Sequence, residues 1–265
     1  MYIYFLKKLR KLFKSLGKKE DKISEIISYE KFKKISTKYH YNKKFDPNKK
    51  VNESIKIFAT ISFFHNKNKI NNLIVVCKNL EKISLKNEIC IVTNKSDKFL
   101  EKKLKKIFKI SIHFKVIKDL LNNRLLPWYH IDLMKNKIKK KNITHFAYLE
   151  DDILINQNNF NYWINSRKIL KKFNLIPGFI RTEINNKNSE IYAIDFLKTD
   201  KIKSLPKIYI NNDFDFVNHK HPYQGMYLYD RELMTEHLNG PSSNPDCGHG
   251  AYDQRYISKR MINFD

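Results

Sequence analysis

The sequence predicts an α/β fold in which a mostly parallel central sheet carries helices on both faces. Three observations lead to this fold class. Short runs rich in β-branched and aromatic residues alternate with longer runs at helical spacing, which is the pattern of strands joined by crossover helices. The chain has 265 residues, enough for one large domain or two small ones, and 42% of them are hydrophobic, enough for a core. No internal repeat interrupts the alternation.

The N-terminal twenty residues, "MYIYFLKKLRKLFKSLGKKE", predict a basic amphipathic helix that precedes the sheet. Basic residues fill one face of this helix, and apolar residues recur at helical spacing on the other: Leu6, Leu9, Phe13 and Leu16. The apolar run is too short for a signal-peptide core or a membrane span. Such a helix suits an anionic membrane surface, and the alternative is that it packs on the domain's own core. The charged segment 21–53 is predicted to be a linker or a loosely packed helix.

From residue 54 onward, predicted strands and helices alternate within one domain, residues 54–265. The strand-like runs are Ser54–Phe64, Asn87–Asp97, Ser111–Lys118, Ile143–Ile155 and Leu175–Ile184, the last broken by Pro177 and Gly178. Helical spacing marks "EKKLKKIFK", the segment after Pro127 and "NNFNYWINSRKILKKFN", whereas "NNLIVVCKNLEKI" suits a helix or a strand–helix junction. Beyond about Asp195 the spacing loosens and turns multiply.

The formal net charge of +25 invites a nucleic-acid-binding interpretation. The basic residues are overwhelmingly lysine, however, in a chain that is also rich in asparagine and isoleucine. Proteins that read bases and phosphates rely on arginine for its bidentate geometry, and arginine is rare here. We therefore interpret the charge as a general lysine background, and keep a basic nucleic-acid-binding protein as an alternative.

The cysteines indicate a reducing compartment. Cys77, Cys90 and Cys247 have no paired spacing and form no Cys-x-x-Cys motif, and the first two sit in apolar runs as small core residues. The cytoplasm is the simplest location that fits this usage.

Three consecutive carboxylates, Glu150, Asp151 and Asp152, follow the apolar run of the fourth predicted strand. Ligands of open α/β sheets bind at this carboxyl end of the strands. Side chains at i and i+2 of a strand share a face, so Glu150 and Asp152 are expected to point together and Asp151 the other way; the pair repel each other unless a cation lies between them. Oxygen ligands of this kind favour Mg²⁺ or Mn²⁺. The alternative is an acidic cluster that caps the next helix or pairs with surface lysines.

These segments together resemble the nucleotide-sugar glycosyltransferases of the GT-A (Rossmann-like) fold. The resemblance covers roughly Ile55 to Tyr256 and rests on "KIFATISFF", "LPWYH", "YLEDDILI", "LIPGFIRTE" and "HPYQGMYLYDRELM". In that family the acidic motif holds a divalent ion that bridges the two phosphates of the sugar nucleotide. The resemblance therefore implies that Asp152 and Glu150 bind Mn²⁺ or Mg²⁺ and that Asp151 contacts the ribose or sugar. It also implies a nucleotide-binding half, 54–155, and an acceptor half, 156–265.

The resemblance further implies a late acid and a late histidine. Asp253 in "GHGAYDQRY" is the candidate base for the acceptor hydroxyl, with an ordinary acid at a helix N-terminus as the alternative. Asp230 is a weaker candidate base, because a helix cap explains it well. His249 is the candidate that completes the metal site, and a satisfied core or surface histidine is the alternative.

Three further residues are predicted to bind the nucleotide sugar. Gln224 and Gly225 would let the backbone approach a ligand closely, because glycine has no side chain. Arg181 either faces the same cleft or pairs with Glu183.

The expected activity is a metal-dependent transfer of sugar from a nucleotide-diphosphate sugar (UDP- or GDP-linked) to a cell-surface glycan or lipid-linked acceptor. The expected location is the cytoplasm, peripheral on the inner face of an anionic membrane, with no specific nucleic-acid partner. The alternative enzyme class is a metal-dependent phosphoesterase or nuclease, which also uses acids at strand ends.

Overall fold

The computed structural model describes ten ranges of the chain: 38–39, 44–51, 54–118, 120, 123–184, 189–193, 207–211, 214–217, 225–240 and 243. The predicted N-terminal helix, 1–20, and most of the segment 21–53 lie outside these residues. So do four residues singled out above: Cys247, Gln224, His249 and Asp253.

The described part of the chain contains ten strands and five α-helices. The strands are β1 (Lys38–Tyr39), β2 (Ile57–Phe63), β3 (Glu88–Thr93), β4 (Ser111–Val116), β5 (His145–Glu150), β6 (Thr182–Ile184), β7 (Ile191–Ala193), β8 (Lys207–Ile210), β9 (Phe214–Val217) and β10 (Met226–Asp230). The helices are α1 (Ile70–Ile83), α2 (Lys98–Ile107), α3 (His130–Lys137), α4 (Gln157–Leu170) and α5 (Arg231–Asn239). Short 3₁₀ turns cover Lys67–Lys69, Asn123–Tyr129 and Lys171–Phe173.

The central sheet has five strands in the order β10-β5-β2-β3-β4. The three pairings among β5, β2, β3 and β4 are parallel, and β10 alone runs antiparallel, against β5. Every residue of β2 and β3 is buried, as expected for parallel strands that are covered on both faces. Strand β4 instead alternates between exposed and buried positions, because it forms the outer edge.

Helices cover both faces of the sheet. Helix α1 packs against α4, and α3 packs against α5. The buried side of α1 consists of apolar residues at helical spacing: Leu73, Val76, Cys77 and Leu80. Cys77 and Cys90 are both buried and free, as their apolar surroundings in the sequence predict. The predicted α/β class with a mostly parallel sheet between helices is thereby confirmed.

Two smaller sheets lie beside the central one. Strands β1, β8 and β9 form a three-stranded sheet, and β6 and β7 form an antiparallel pair. The three-stranded sheet contributes to a second small core with the end of α4: Ile169, Leu170, Ile208, Ile210 and Phe216. Among the described residues, no helix has the length and apolar character needed to cross a membrane.

Three predicted boundaries are wrong. The strand predicted over Ile143–Ile155 ends at Glu150, where a turn closes as the amide of Ile153 donates to the Glu150 carbonyl at 3.2 Å. Only Thr182–Ile184 of the predicted strand Leu175–Ile184 is extended in a sheet. The segment around Pro127 forms a 3₁₀ turn before the α-helix begins at His130, since proline cannot donate to a regular helical ladder.

Candidate active site

The three consecutive acids lie at the carboxyl end of β5, an inner strand of the central sheet. Strand β5 is hydrogen-bonded to β2 on one side and to β10 on the other, so Glu150 is flanked by the end of β2 and the start of β10. This is the edge at which open α/β sheets bind ligands. The acids do not cap the next helix, because Asn156 caps α4 by accepting from the Asn159 amide at 3.0 Å.

The backbone of Gly225 lies against the Glu150 side chain. The Glu150 amide donates to the Gly225 carbonyl at 3.2 Å, and Gly225 has φ +57°, in the left-handed region that favours glycine. A Cβ built on Gly225 would lie 3.1 Å from the carboxyl carbon of Glu150. The fold therefore brings two of the predicted site residues into contact, and the missing side chain of Gly225 makes room for the carboxylate.

Lys69 holds the other two acids. Its ammonium nitrogen lies 3.6 Å from Oδ1 of Asp151 and 3.6 Å from Oδ2 of Asp152. The Asp151 side chain is buried, whereas Asp152 and Lys69 are close to half exposed. Burial raises the pKa of the Asp151 carboxyl, and Lys69 opposes that rise. This contact is the lysine pairing that the sequence leaves open as the alternative to a metal.

The pKa of Glu150 lies well above its usual range. Burial raises the pKa of Glu150 to about 7, and the neighbouring charges of Asp152 and Asp151 add to the rise, while Arg181 and Lys69 oppose it. Arg181 thus acts electrostatically on the acidic site rather than only on Glu183. The alternation that predicts a shared face for Glu150 and Asp152 does not apply, because the strand ends at Glu150. The negative charges of Asp152 and Asp151 nevertheless both raise the pKa of Glu150.

Two carboxylate oxygens of the site are buried without a hydrogen-bond partner in the described part of the chain: Oε1 of Glu150 and Oδ2 of Asp151. Buried carboxylate oxygens are costly unless a donor or a cation satisfies them. No group of three or more His, Cys, Asp or Glu side chains among the described residues is arranged to hold a metal by itself. Mg²⁺ and Mn²⁺ commonly take one or two carboxylates and complete their shell with substrate phosphates and water, so this donor set fits such an ion.

Sequence reasoning misses Lys69 and a polar cluster at the neighbouring strand ends. Nε2 of His65, after β2, lies 3.0 Å from Oδ2 of Asp97, after β3, and the His65 amide donates to Oδ1 of Asn94 at 2.8 Å. Asp97 also caps α2 by accepting from the Leu100 amide. The sequence signal for this cluster lies in "HNKNK" and "NKSD", two polar runs that each follow a strand.

Asp230 has a structural role. It caps α5, accepting from the Leu233 amide at 2.8 Å, and its other oxygen accepts from Nε of Arg167 at 2.9 Å. These two contacts confirm the capping interpretation. The predicted roles of His249, Gln224 and Asp253 remain predictions.

No protein-family model matches the sequence, and a search of curated proteins finds no match. Among solved structures, the chain is similar to the mannosyltransferase PcManGT from Pyrobaculum calidifontis in complex with GDP-Man and Mn²⁺, with TM-score 0.43 and 9% identity over 89% of this chain and 60% of that chain. It is also similar to the WbbM bifunctional glycosyltransferase, with TM-score 0.42 and 10% identity over 81% of this chain and 39% of that chain. A third similar structure is a 4-diphosphocytidyl-2C-methyl-D-erythritol synthase from Anaerococcus prevotii, with TM-score 0.35 and 10% identity over 70% and 76%.

The chain spans less than two thirds of the length of the two glycosyltransferases that it resembles. All three TM-scores lie below 0.5, and the three proteins differ in activity. These similarities therefore carry no functional argument by themselves, and function has to be argued from the acidic site.

Proposed function

We propose that this protein is a metal-dependent glycosyltransferase that moves a sugar from a nucleotide-diphosphate sugar to a glycan or lipid-linked acceptor. The observation that carries the proposal is the pair of buried, unsatisfied oxygens on Glu150 and Asp151 at the carboxyl end of β5. Buried carboxylates at this edge of a parallel sheet form a suitable binding site for a cation. A bound cation in turn attracts a diphosphate.

In this proposal Glu150 and Asp152 hold Mn²⁺ or Mg²⁺, and Asp151 supports the ribose or sugar. When bound, the ion supplies stabilisation of the negative charge that develops on the leaving diphosphate. Arg181, which already acts on the Glu150 carboxylate, adds positive charge on the same side. Gly225 leaves space beside Glu150, and Gln224 lies next to it in the sequence as a contact to the donor.

The remaining roles extend the proposal to residues outside the described ranges. Asp253 acts as the base for the acceptor hydroxyl, and His249 completes the metal site. The basic helix predicted over residues 1–20 would hold the enzyme on the inner face of an anionic membrane, close to a lipid-linked or polymeric acceptor of cell-surface polysaccharide.

The test is the substitution Asp152→Ala in the full chain, with Glu101→Ala as the control. Glu101 lies on α2, which packs beside the edge strand β4, and its substitution removes the same charge. We expect Asp152→Ala to abolish the Mn²⁺-dependent hydrolysis of a UDP- or GDP-sugar, and Glu101→Ala to leave it unchanged. Equal rates for the two variants would contradict the proposed metal role of Asp152.

A panel of substrates distinguishes the alternative activities. A transferase acts on nucleotide sugars and produces a nucleoside diphosphate, whereas a phosphoesterase or nuclease cleaves simple phosphodiesters as well. A basic nucleic-acid-binding protein would instead bind DNA or RNA with an affinity that falls steeply with salt. Turnover of phosphodiesters without any preference for nucleotide sugars would overturn the transferase proposal.

A further inference from the structure

Lys69 is fixed at the mouth of the acidic site by the turn that precedes α1. The 3₁₀ turn Lys67–Lys69 begins at Asn66, whose side chain accepts from the Asn68 amide at 2.9 Å, and α1 starts at the next residue, Ile70. This turn follows the end of β2, the strand that pairs with β5. The connection between β2 and α1 therefore places Lys69 next to acids that follow a different strand, β5.

The contact between Lys69 and the acids is one of charge rather than of close hydrogen bonding. The ammonium nitrogen lies 3.6 Å from one oxygen of Asp151 and 3.6 Å from one oxygen of Asp152, beyond the range of a good hydrogen bond. The Lys69 side chain is 44% exposed, so water reaches it. A flexible four-carbon chain in such a contact can leave the carboxylates at small cost.

One lysine does not neutralise the site. The site has three consecutive carboxylates, and the buried oxygens Oε1 of Glu150 and Oδ2 of Asp151 have no partner among the residues that the structure describes. A divalent ion that bound to these acids would meet the Lys69 ammonium within a few ångströms, and the two positive charges would repel each other. The ammonium then has to move, and the negative groups closest to such an ion in the proposed reaction are the phosphates of the donor.

We propose that Lys69 is a displaceable counter-ion: its single charge partly offsets those of Asp151 and Asp152 in the metal-free protein, and the ammonium moves to the diphosphate when a divalent ion enters. This inference rests on the proposed function. The positive charge of Lys69 weakens binding of the ion unless a diphosphate is present to pair with the ammonium. The ion and the diphosphate therefore bind cooperatively. The coupling is reciprocal, so each ligand raises the affinity for the other by the same factor.

The experiment measures Mn²⁺ binding to the full chain by calorimetry, and free Mn²⁺ by electron paramagnetic resonance, without nucleotide and with saturating UDP or GDP. The variants are Lys69→Met, which removes the ammonium, and Lys69→Arg, which keeps a cation. The matched control is Lys67→Met, because Lys67 is an exposed lysine of the same turn. Thermal unfolding of each variant verifies that the fold is intact.

In the wild type and in Lys67→Met, we expect weak Mn²⁺ binding that UDP or GDP strengthens by roughly tenfold or more, a usual size for coupling between sites. In Lys69→Met, Mn²⁺ alone binds roughly tenfold more tightly than in the wild type, and the strengthening by nucleotide shrinks. Lys69→Arg keeps the coupling.

Two results would overturn the inference, and they differ in what they say about function. Measurable Mn²⁺ binding that is equal in Lys69→Met and Lys67→Met, with equal strengthening by nucleotide, removes the role of Lys69 but leaves the proposed function intact. Absence of Mn²⁺ binding to every variant, with and without nucleotide, contradicts both the role of Lys69 and the metal-dependent transferase.

Discussion

Gly225 and Glu150 lie in direct contact although a long stretch of chain separates them. The glycine carbonyl accepts the Glu150 amide at 3.2 Å, and the space where a Gly225 side chain would stand lies 3.1 Å from the Glu150 carboxyl carbon. The position of the Glu150 carboxylate, the first of the three acids, thus depends on Gly225, which directly precedes β10.

Replacing Gly225 with alanine is expected to lower the free energy of unfolding and to displace the Glu150 carboxylate. A non-glycine residue in the left-handed region costs about 1–2 kcal/mol, and the new methyl group presses on the carboxylate as well. Urea unfolding and Mn²⁺ titration of the folded variant measure the two effects. The control is Gly240→Ala, since Gly240 has an ordinary φ of −87° at the end of α5. Equal stability and equal Mn²⁺ affinity in the two variants would contradict the prediction.

The pair of Arg167 and Asp230 is expected to contribute more to stability than an exposed ion pair. Both side chains are largely buried, and Asp230 also caps α5, so Asp230→Ala leaves a buried guanidinium without its charged partner, although Arg167 still donates to the Leu175 carbonyl. We expect a loss of about 3–5 kcal/mol in the free energy of unfolding, measured by urea denaturation. Asp230→Ser keeps a capping oxygen and recovers about 1 kcal/mol of that loss.

The control for this prediction is the ion pair of Lys171 and Glu232, which lies at the surface close to the same helix. Glu232→Gln should cost no more than about 1 kcal/mol, the usual limit for exposed pairs. If Asp230→Ala and Glu232→Gln destabilise the protein equally, the buried pair has no special role.

The buried His130 is expected to make the protein less stable in acid. Its Nδ1–H donates to the Pro127 carbonyl, the ring stacks on Tyr148, and burial lowers the pKa of His130 to about 4. As the pH falls, His130 therefore takes up a proton near pH 6.5 in the unfolded chain but only near pH 4 in the folded protein. The contribution of neutral His130 to the free energy of unfolding is fully present above pH 6.5. It falls by about 3 kcal/mol as the pH decreases from 6.5 to 4.

The measurement compares the pH dependence of urea unfolding in the wild type and in His130→Asn, which retains a donor for the Pro127 carbonyl. Glu150 acts in the opposite direction over part of this range, because its raised pKa makes the folded protein bind a proton that the unfolded chain releases. Glu150 is unchanged in both proteins, so its contribution cancels in the difference. A wild type and variant with the same slope between pH 4 and 6.5 would contradict the assignment to His130.

The thiols of Cys77 and Cys90 are expected to resist alkylation in the folded protein. Burial raises the pKa of Cys77 to about 12 and that of Cys90 to about 11, which removes the reactive thiolate near neutral pH. The variant Cys247→Ser leaves only these two thiols. At pH 8 a disulfide reagent should titrate no thiol before urea is added and two thiols afterwards. Rapid reaction without urea would show that one of the thiols is accessible.

The sequence predicts the central sheet well because its strands obey simple local rules. The continuous apolar runs around Phe58 and Ile91 are typical of strands covered on both faces, and the structure buries every residue of both strands. The run Ser111–Lys118 predicts a strand equally well, and the structure adds that this strand lies at the edge of the sheet. In each of these cases the pattern within one segment is enough to predict the strand.

The acidic site is less predictable because it is made by contacts between distant segments. The apolar residues of "ILI" after Asp152 suggest that the strand continues, but the turn closed by Ile153 ends it at Glu150. No local pattern places Lys69 beside Asp151, since the contact depends on β2 and β5 being neighbours in the sheet. For the same reason the sequence predicts Gly225 as a site residue without indicating that it touches Glu150.

The antiparallel position of β10 has a consequence for how the protein acquires its site during synthesis. Strands β2, β3, β4 and β5 can pair as soon as the chain has passed Glu150, but Glu150 lacks its backbone partner until Gly225 and the strand that follows have been made. A nascent chain halted between these two points would carry a nearly complete parallel sheet with an open edge at β5. The acidic site would then be complete only after β10 had paired with β5, which links assembly of the site to the last strand of the sheet rather than to the strand that bears the acids.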